Sequence, residues 1–430
     1  MELFDYLALS SIVVLFLLGT PLAVTFSIGS IAIMIHTMGF PLGNISQVFF
    51  TTISSYPMLA MPFFILAGNL ILASGGMGHL RDFMNRLVGH LPGGMAVAIC
   101  IFAAFLGSIS GSATACLAII GTIFVPMMAD SGYSRPFAAG LAVTSAGLGA
   151  VIPPSVFMIV FGASNRVSVA DLFAAGVGPG LLAAFLMCLT SVWISKKRGY
   201  QSGVKATFAE RMDSFKKAFP IILMPLIVLG GIYAGFFTPT EAAVVAVVYG
   251  FIVGVFIYRN IDGKLLVKIL RDGAVSTAQI MILICAATLF GYVLTANRIP
   301  DMVATAILSL SSNKYVILLL INILLLIVGA FMDTTAALII LVPILYPIVT
   351  SVGVNPIHFA MIICVNLAVG QVTPPFGCNL FVACGTAGIG LEAISKKVVP
   401  FIIALIVCVL LVTYIEPISL ILPQLLGAQM

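Results

Sequence analysis

Four short stretches decide how this chain is read. They are Gly107-Ser108-Ile109-Ser110-Gly111-Ser112-Ala113-Thr114, Gly147-Leu148-Gly149-Ala150-Val151-Ile152-Pro153-Pro154-Ser155, Gly329-Ala330-Phe331-Met332-Asp333-Thr334-Thr335 and Val369-Gly370-Gln371-Val372-Thr373-Pro374-Pro375. Each places small polar residues or a proline pair inside a long apolar segment, and none can be a continuous helix. A proline pair removes two backbone donors and disfavours the helical conformation just before it. Carbonyls freed at mid-membrane depth are tolerated only where they line a cavity or are buried in protein.

The chain around these stretches has 430 residues, of which 61% are hydrophobic and only 8% charged. Soluble domains carry roughly 25% charged residues. Too little charge is left to cover a water-facing surface, which excludes a soluble enzyme, a nucleic-acid binder and a disordered chain. The apolar stretches are long and continuous, unlike the short alternating strands of a membrane barrel. The expected fold class is therefore an all-α polytopic membrane protein. Spans are expected near 5–20, 21–38, 56–74, 136–161, 171–195, 219–236, 239–258, 275–296, 357–383 and 398–420. The first apolar stretch has no basic leader and reads as a retained helix. Two further stretches, 93–130 and 315–350, are nearly twice the length of one span and are broken at their centres. They read as re-entrant hairpins that enter and leave on one side.

Charge supports this arrangement. With 196–218 in the cytoplasm and neither hairpin changing sides, only Arg166, Arg298 and Lys314 of the 19 Lys and Arg fall on the outer side. That is the positive-inside bias. The first hairpin then enters from the cytoplasmic face and the second from the outer face.

The chain also repeats itself. Gly19-Thr20-Pro21 recurs as Phe237-Thr238-Pro239. Ser112-Ala113-Thr114-Ala115 falls on Asp333-Thr334-Thr335-Ala336, Gly149 on Gly370, and Pro153-Pro154 on Pro374-Pro375, all at an offset of 221. The organisation is a first repeat over 1–195 (hairpin 93–130, broken helix 136–161), a cytoplasmic amphipathic connector over 196–218, and a second repeat over 219–430 (hairpin 315–350, broken helix 357–383). Five spans per half is an odd number, so the halves run in opposite directions. This inverted repeat is the plan of secondary transporters.

A hairpin tip facing an unwound helix concentrates hydroxyls, carbonyls and one carboxylate. Such hard oxygen ligands suit Na⁺ rather than zinc or copper. Helix N-termini at the same place favour an anionic substrate group. Asp333 is the only acid at a tip and serves either a cation or a proton, with Ser112 as its counterpart in the first half. Glu241, after Thr238-Pro239-Thr240, reads as part of a helix capping box. Arg298 anchors at the outer interface, pairs with Asp301 or meets a substrate carboxylate, with interface anchoring favoured. Basic stretches at 81–87, 196–217 and 264–271 read as amphipathic surface segments. The eight cysteines form no CxxC pair, and His36, His79, His90 and His358 sit at no ligand spacing, so no metal centre is expected from them.

Several stretches together closely resemble the large membrane subunit of tripartite ATP-independent periplasmic (TRAP) transporters, of the DctM/SiaM type. They are Ala60-Met61-Pro62-Phe63-Phe64-Ile65-Leu66-Ala67-Gly68, Gly107–Ala115, Ile152-Pro153-Pro154-Ser155, Phe237-Thr238-Pro239-Thr240-Glu241-Ala242 and Val372-Thr373-Pro374-Pro375. The resemblance covers essentially the whole chain. It implies an elevator-type ion-transporter fold, in which hairpins and broken helices slide against a scaffold. It implies a Na⁺ gradient as the driving force, with Na⁺ as coupling ion and no other cofactor. It implies two partners: a small four-helix membrane subunit of the DctQ/SiaQ type and a periplasmic substrate-binding protein of the DctP/SiaP type. Substrates of the family are organic acids, C4-dicarboxylates and sialic acids among them, and the reading leans to sialic acid.

The expectation is a Na⁺-coupled organic-acid importer subunit in the bacterial inner membrane, in contact with lipid and not an enzyme. Cations would bind at Ser108, Ser110, Ser112 and Gly149 in the first half and at Gly329, Asp333, Thr334 and Gly370 in the second. Substrate would meet Thr114, Ser145, Ser155, Asn366 and Thr373. The alternatives are a stand-alone Na⁺- or H⁺-coupled anion exchanger and an ion channel.

Overall fold

Helix boundaries follow from local chemistry at their ends. Thr207 and Glu210 form a capping box that starts the helix Phe208–Tyr233, and Thr238 and Glu241 form another at Pro239–Ile252. In each, the Thr hydroxyl accepts from the Glu backbone N–H, and the Glu carboxylate accepts from the Thr backbone N–H. Glu241 is thus a capping residue. The structure is a computed structural model describing every residue except 1–7, 9, 13, 16, 17, 38, 201, 202, 301, 304, 306–312, 375, 429 and 430. Of the expected span at 5–20, residues 5–7, 9, 13, 16 and 17 lie outside the described residues, as do Asp301 and Pro375.

Among the described residues there are helices and no strands. Ten described helices are long and apolar enough to cross a membrane. They do not match the expected spans one for one, because Ala113–Asp130, Lys314–Phe331 and Thr334–Ser351 are hairpin limbs. The first hairpin pairs Gly94–Ser110 with Ala113–Asp130, and the second pairs Lys314–Phe331 with Thr334–Ser351. The first broken helix is Arg135–Ala146, Leu148–Val151 and Val156–Asn165; the second is Pro356–Gly370 and Cys378–Ala387.

Several boundaries differ from expectation. A helix at Leu42–Ile53 stands outside the expected spans. It precedes Ala60–Ala73, and together they fall, at the repeat offset, on the single 34-residue helix Gly263–Ala296. Pro57 interrupts the first copy, whereas Ala278 lets the second run on. The basic stretch 264–271 is accordingly the start of that long helix rather than a separate surface segment. Residues 208–218 of the connector likewise continue into Phe208–Tyr233. Of the three basic stretches, only 81–87 belongs to a separate amphipathic helix, Met77–Val88, which buries Met77, Leu80 and Met84. The last span runs over Leu391–Tyr414 and is followed by Pro417–Leu425. In the bend between them, Glu416 pairs with Lys314 at 2.6 Å, and the Lys314 ammonium holds its carboxyl below the usual range.

The halves are sequence units, not separate bodies. Val156–Asn165 packs on Thr334–Ser351, and Cys378–Ala387 packs on Ala113–Asp130. Arg135–Ala146 packs on Leu391–Tyr414, and Val169–Arg198 on Pro356–Gly370. Each broken helix therefore braces the hairpin of the other half. A second layer crosses the halves in the same way: Leu22–His36 lies against Gly263–Ala296, and Ala60–Ala73 against Pro239–Ile252. The crevice between the layers holds the candidate site.

Candidate cation and substrate site

Both hairpin tips reach one cavity of about 390 Å³ in this crevice. Ser110, Ser112 and Thr114 line it from the first tip, and Asp333, Thr334 and Thr335 from the second. The opposite wall is Asn69 and its neighbours on Ala60–Ala73 together with Ser276 and Ile280 on Gly263–Ala296. Ser276 and Ile280 lie near the midpoint of their helix, so the tips meet well inside the apolar slab. Limbs of 17 and 18 residues turn there rather than continue across.

The tips turn by different means. Gly111 closes Gly94–Ser110 in the left-handed conformation at φ 60°. Its position leaves no room for a side chain, since a Cβ there would lie 2.9 Å from the Pro154 carbonyl oxygen. Ser112 then caps the second limb, its hydroxyl accepting from the Ala115 N–H and lying 3.0 Å from the Thr114 hydroxyl. In the second tip Asp333 is the cap, with Oδ2 accepting from the Thr335 N–H at 2.9 Å. Ser112 and Asp333 thus hold the equivalent caps that the repeat assigns to them.

Glycines join each tip to its break. A Cβ on Gly107 would lie 2.9 Å from the Gly149 Cα, and one on Gly370 would lie 2.6 Å from the Gly329 Cα. Gly149 faces the Ser112 carbonyl oxygen and Cys116 Sγ just as closely. Gly149, Gly329 and Gly370 therefore sit where tip and break touch. Ser108, buried beside them, donates to the Phe105 carbonyl. Ser110 lies 3.1 Å from Cys116 Sγ.

The first proline pair leaves a carbonyl that another group satisfies. Pro154 has no N–H for the Ala150 carbonyl, and the Ser155 hydroxyl donates to that oxygen at 2.7 Å. In the second break the Thr373 hydroxyl donates to the Val369 carbonyl at 2.7 Å, an oxygen that also accepts from the Val372 N–H. Both were expected on substrate, but their hydroxyls turn back on backbone carbonyls and neither residue lines the cavity. Ser145 is fully buried, 3.7 Å from Cys100 Sγ. Asn366 is fully buried too, and its amide donates to Asn322 Oδ1 and the Ile362 carbonyl. Of the five residues expected to meet substrate, Thr114 alone is on the cavity wall.

Other groups are placed at the site that the expected set omitted. Gln371 is 2% exposed and donates through Nε2 to Asp333 Oδ1 at 3.2 Å. Its Oε1 accepts from Asn379, which is fully buried. The sequence signal was present: Gln371 and Asn379 are the amides flanking the second break, and Asn69 is a lone amide in an apolar helix. At the equivalent positions the first half has Ala150 and Met158. The polar set is therefore one-sided, with Asp333 the only charged residue on the cavity lining among the described residues.

This arrangement suits a hard cation on the Asp333 side. The Thr334 hydroxyl is buried there without a hydrogen-bond partner, so an oxygen ligand is left to spare. Three helices, Ala113–Asp130, Thr334–Ser351 and Val156–Asn165, begin at the cavity and present positive dipole ends to an anion. No group of three or more His, Cys, Asp or Glu that could hold a metal ion occurs among the described residues.

Residues 9–418 match the family model of the tripartite ATP-independent periplasmic transporter, DctM component. The chain is 40% identical over 422 residues to the isethionate TRAP transporter permease protein DctMQ of Oleidesulfovibrio alaskensis, covering 97% of this chain and 65% of that protein. It is 39% identical to the C4-dicarboxylate TRAP transporter large permease protein DctM of Pseudomonas aeruginosa, covering 88% of each. It is 34% identical to the sialic acid TRAP transporter large permease protein SiaM of Vibrio cholerae, covering 95% of each. The solved YdaH transporter of Alcanivorax borkumensis, described as having an unusual topology, superposes with a TM-score of 0.64 at 14% identity over 90% of this chain and 91% of that one. That likeness concerns the fold.

Proposed function

Because this chain belongs to the family of the DctM component of tripartite ATP-independent periplasmic transporters, we propose that it is the large membrane subunit of a Na⁺-coupled importer of organic acids. It is a multi-pass inner-membrane transporter protein and not an enzyme. The observation that carries the proposal is the meeting of both hairpin tips at one cavity, beside the helix breaks, with Asp333 as its only charge among the described residues. Na⁺ binds between the Asp333 carboxylate, the Thr334 hydroxyl and the carbonyls of the second tip, and a second cation between the first tip and Gly149. Cation binding orders the tips, and the ordered tips with their helix N-termini receive the anionic group of the substrate. Relatives named for isethionate, C4-dicarboxylate and sialic acid share a carboxylate or sulfonate, which sets the substrate class. Sialic acid is one member of it.

The layer carrying hairpins and broken helices moves against the other layer in an elevator cycle. The position of the cavity between the two layers supports this reading. A small four-helix membrane subunit and a periplasmic substrate-binding protein complete the machine.

The test is uptake of radiolabelled N-acetylneuraminate, succinate and isethionate by the three-component system in liposomes, with an imposed Na⁺ gradient or with Na⁺ replaced by K⁺. At least one acid is taken up only with Na⁺. Asp333→Ala abolishes that uptake while membrane expression stays intact. Full uptake by the variant would remove Asp333 from the mechanism.

A further inference from the structure

A second and larger cavity, of about 590 Å³, lies in the same crevice. Its walls continue those of the first by one helical turn: Ile280 gives way to Ile284, and Thr335 to Leu338. It lies towards the outer face, where the charge sorting puts Arg166. Arg166 is the only charged residue on its lining among the described residues. No ion pair or hydrogen bond among the described residues engages its guanidinium.

The backbone at this position is also unusual. Arg166 closes Val156–Asn165 in the left-handed conformation, at φ 57°. In the second half the matching helix Cys378–Ala387 ends on Gly388 at φ 64°. Glycine takes that conformation freely, whereas an arginine does so at a steric cost. Arg259 and Arg298 share the conformation, and a cation at a helix C-terminus gains from the dipole. Neither of them lines either cavity, however.

The remaining polar lining is of a different kind. The hydroxyls of Thr51, Thr52, Thr288 and Thr295 donate to carbonyls of their own helices and so turn acceptor oxygens outward. Arg166 is left as the charged donor of the cavity. A guanidinium offers two parallel N–H groups that match the oxygens of a carboxylate or sulfonate. A volume of about 590 Å³ falls in the range of small-ligand sites.

We propose that this outer cavity is a capture site for the carboxylate or sulfonate of the transported acid, with Arg166 as its anion ligand. The acid is held there by charge before it reaches the tips one turn deeper. This inference rests on the organic-acid reading above, and its test is separable from it. Ser164, also on the lining, is replaced by cysteine in the full three-component complex. The rate of labelling by a membrane-impermeant maleimide is then measured with and without N-acetylneuraminate, succinate or isethionate.

At least one acid slows labelling severalfold. Arg166→Gln removes that protection, and Arg166→Lys, which keeps the charge but not the fork, retains part of it. In uptake, Arg166→Gln raises the half-saturating acid concentration about tenfold and leaves the half-saturating Na⁺ concentration unchanged. Labelling that ignores all three acids, or protection that survives Arg166→Gln, overturns the proposal. Protection that needs the periplasmic binding protein and not the acid also overturns it, marking the cavity as a protein-docking surface. If Arg166→Gln fails to reach the membrane, Arg166→Lys carries the test. Should the wild type take up none of the acids, the transport reading fails, and acid protection of the cysteine still decides the capture site.

Discussion

Gly149 and Gly370 occupy equivalent places, yet what surrounds them differs, and so does what a methyl group would do there. At Gly370 the obstruction is the backbone of Gly329, 2.6 Å from the added Cβ. At Gly149 the nearest atom is Cys116 Sγ at 2.6 Å, with the Ser112 carbonyl at 3.0 Å. Overpacking of this kind costs about 1–3 kcal/mol. Gly370→Ala is therefore expected to lower the melting temperature of the purified protein, and no side-chain truncation nearby restores it. Gly149→Ala is expected to lower it too, but Cys116→Ala in the same chain recovers more than half of the loss. Thermal unfolding of the two single variants and the double variant in detergent checks this. A Gly370→Ala protein as stable as wild type would mean that the second tip does not rest on its break.

At the scale of the element, the breaks show what could be read in the sequence and what could not. The hairpins and interrupted helices were legible because proline chemistry and glycine clusters act locally and recur at one offset. The interruption at Pro57 was not, because a proline marks a helix end only where the flanking residues form helix on both sides. The roles of Ser155 and Thr373 were also hidden. A hydroxyl beside a proline pair can face a ligand or turn back on a carbonyl, and residue spacing does not distinguish the two. The geometry here selects the second: Ser155 donates to the Ala150 carbonyl at 2.7 Å, and Cys364 Sγ approaches the same oxygen at 3.2 Å. Ser155→Ala thus removes one of two donors and is expected to cost about 1 kcal/mol of stability. The half-saturating substrate concentration stays unchanged. A tenfold rise in that concentration with an unaltered melting temperature would return Ser155 to the substrate.

For the whole molecule, orientation follows from charge, and the packing supplies an independent constraint on it. Lys314 opens the second hairpin and Glu416 follows the last long helix, and the two meet at 2.6 Å. They must lie on one side of the membrane. The Lys/Arg sorting alone puts Lys314 outside, and Leu391–Tyr414, with Lys396 and Lys397 near its start, has to end outside for the same reason. Both tips line one cavity, so the hairpins reach it from opposite faces only if each keeps its two ends together. Cysteines at His90 and Ser131 flank the first hairpin, and cysteines at Asn313 and Ser351 flank the second. An impermeant thiol reagent is expected to label the first pair only from the cytoplasmic side and the second pair only from the periplasm. Labelling of His90→Cys and Ser131→Cys from different sides would make this segment a net single crossing of the membrane rather than a hairpin that enters and leaves on one face. The tips could then not face each other across Asp333, and the coupling of cation to substrate would lose its structural basis.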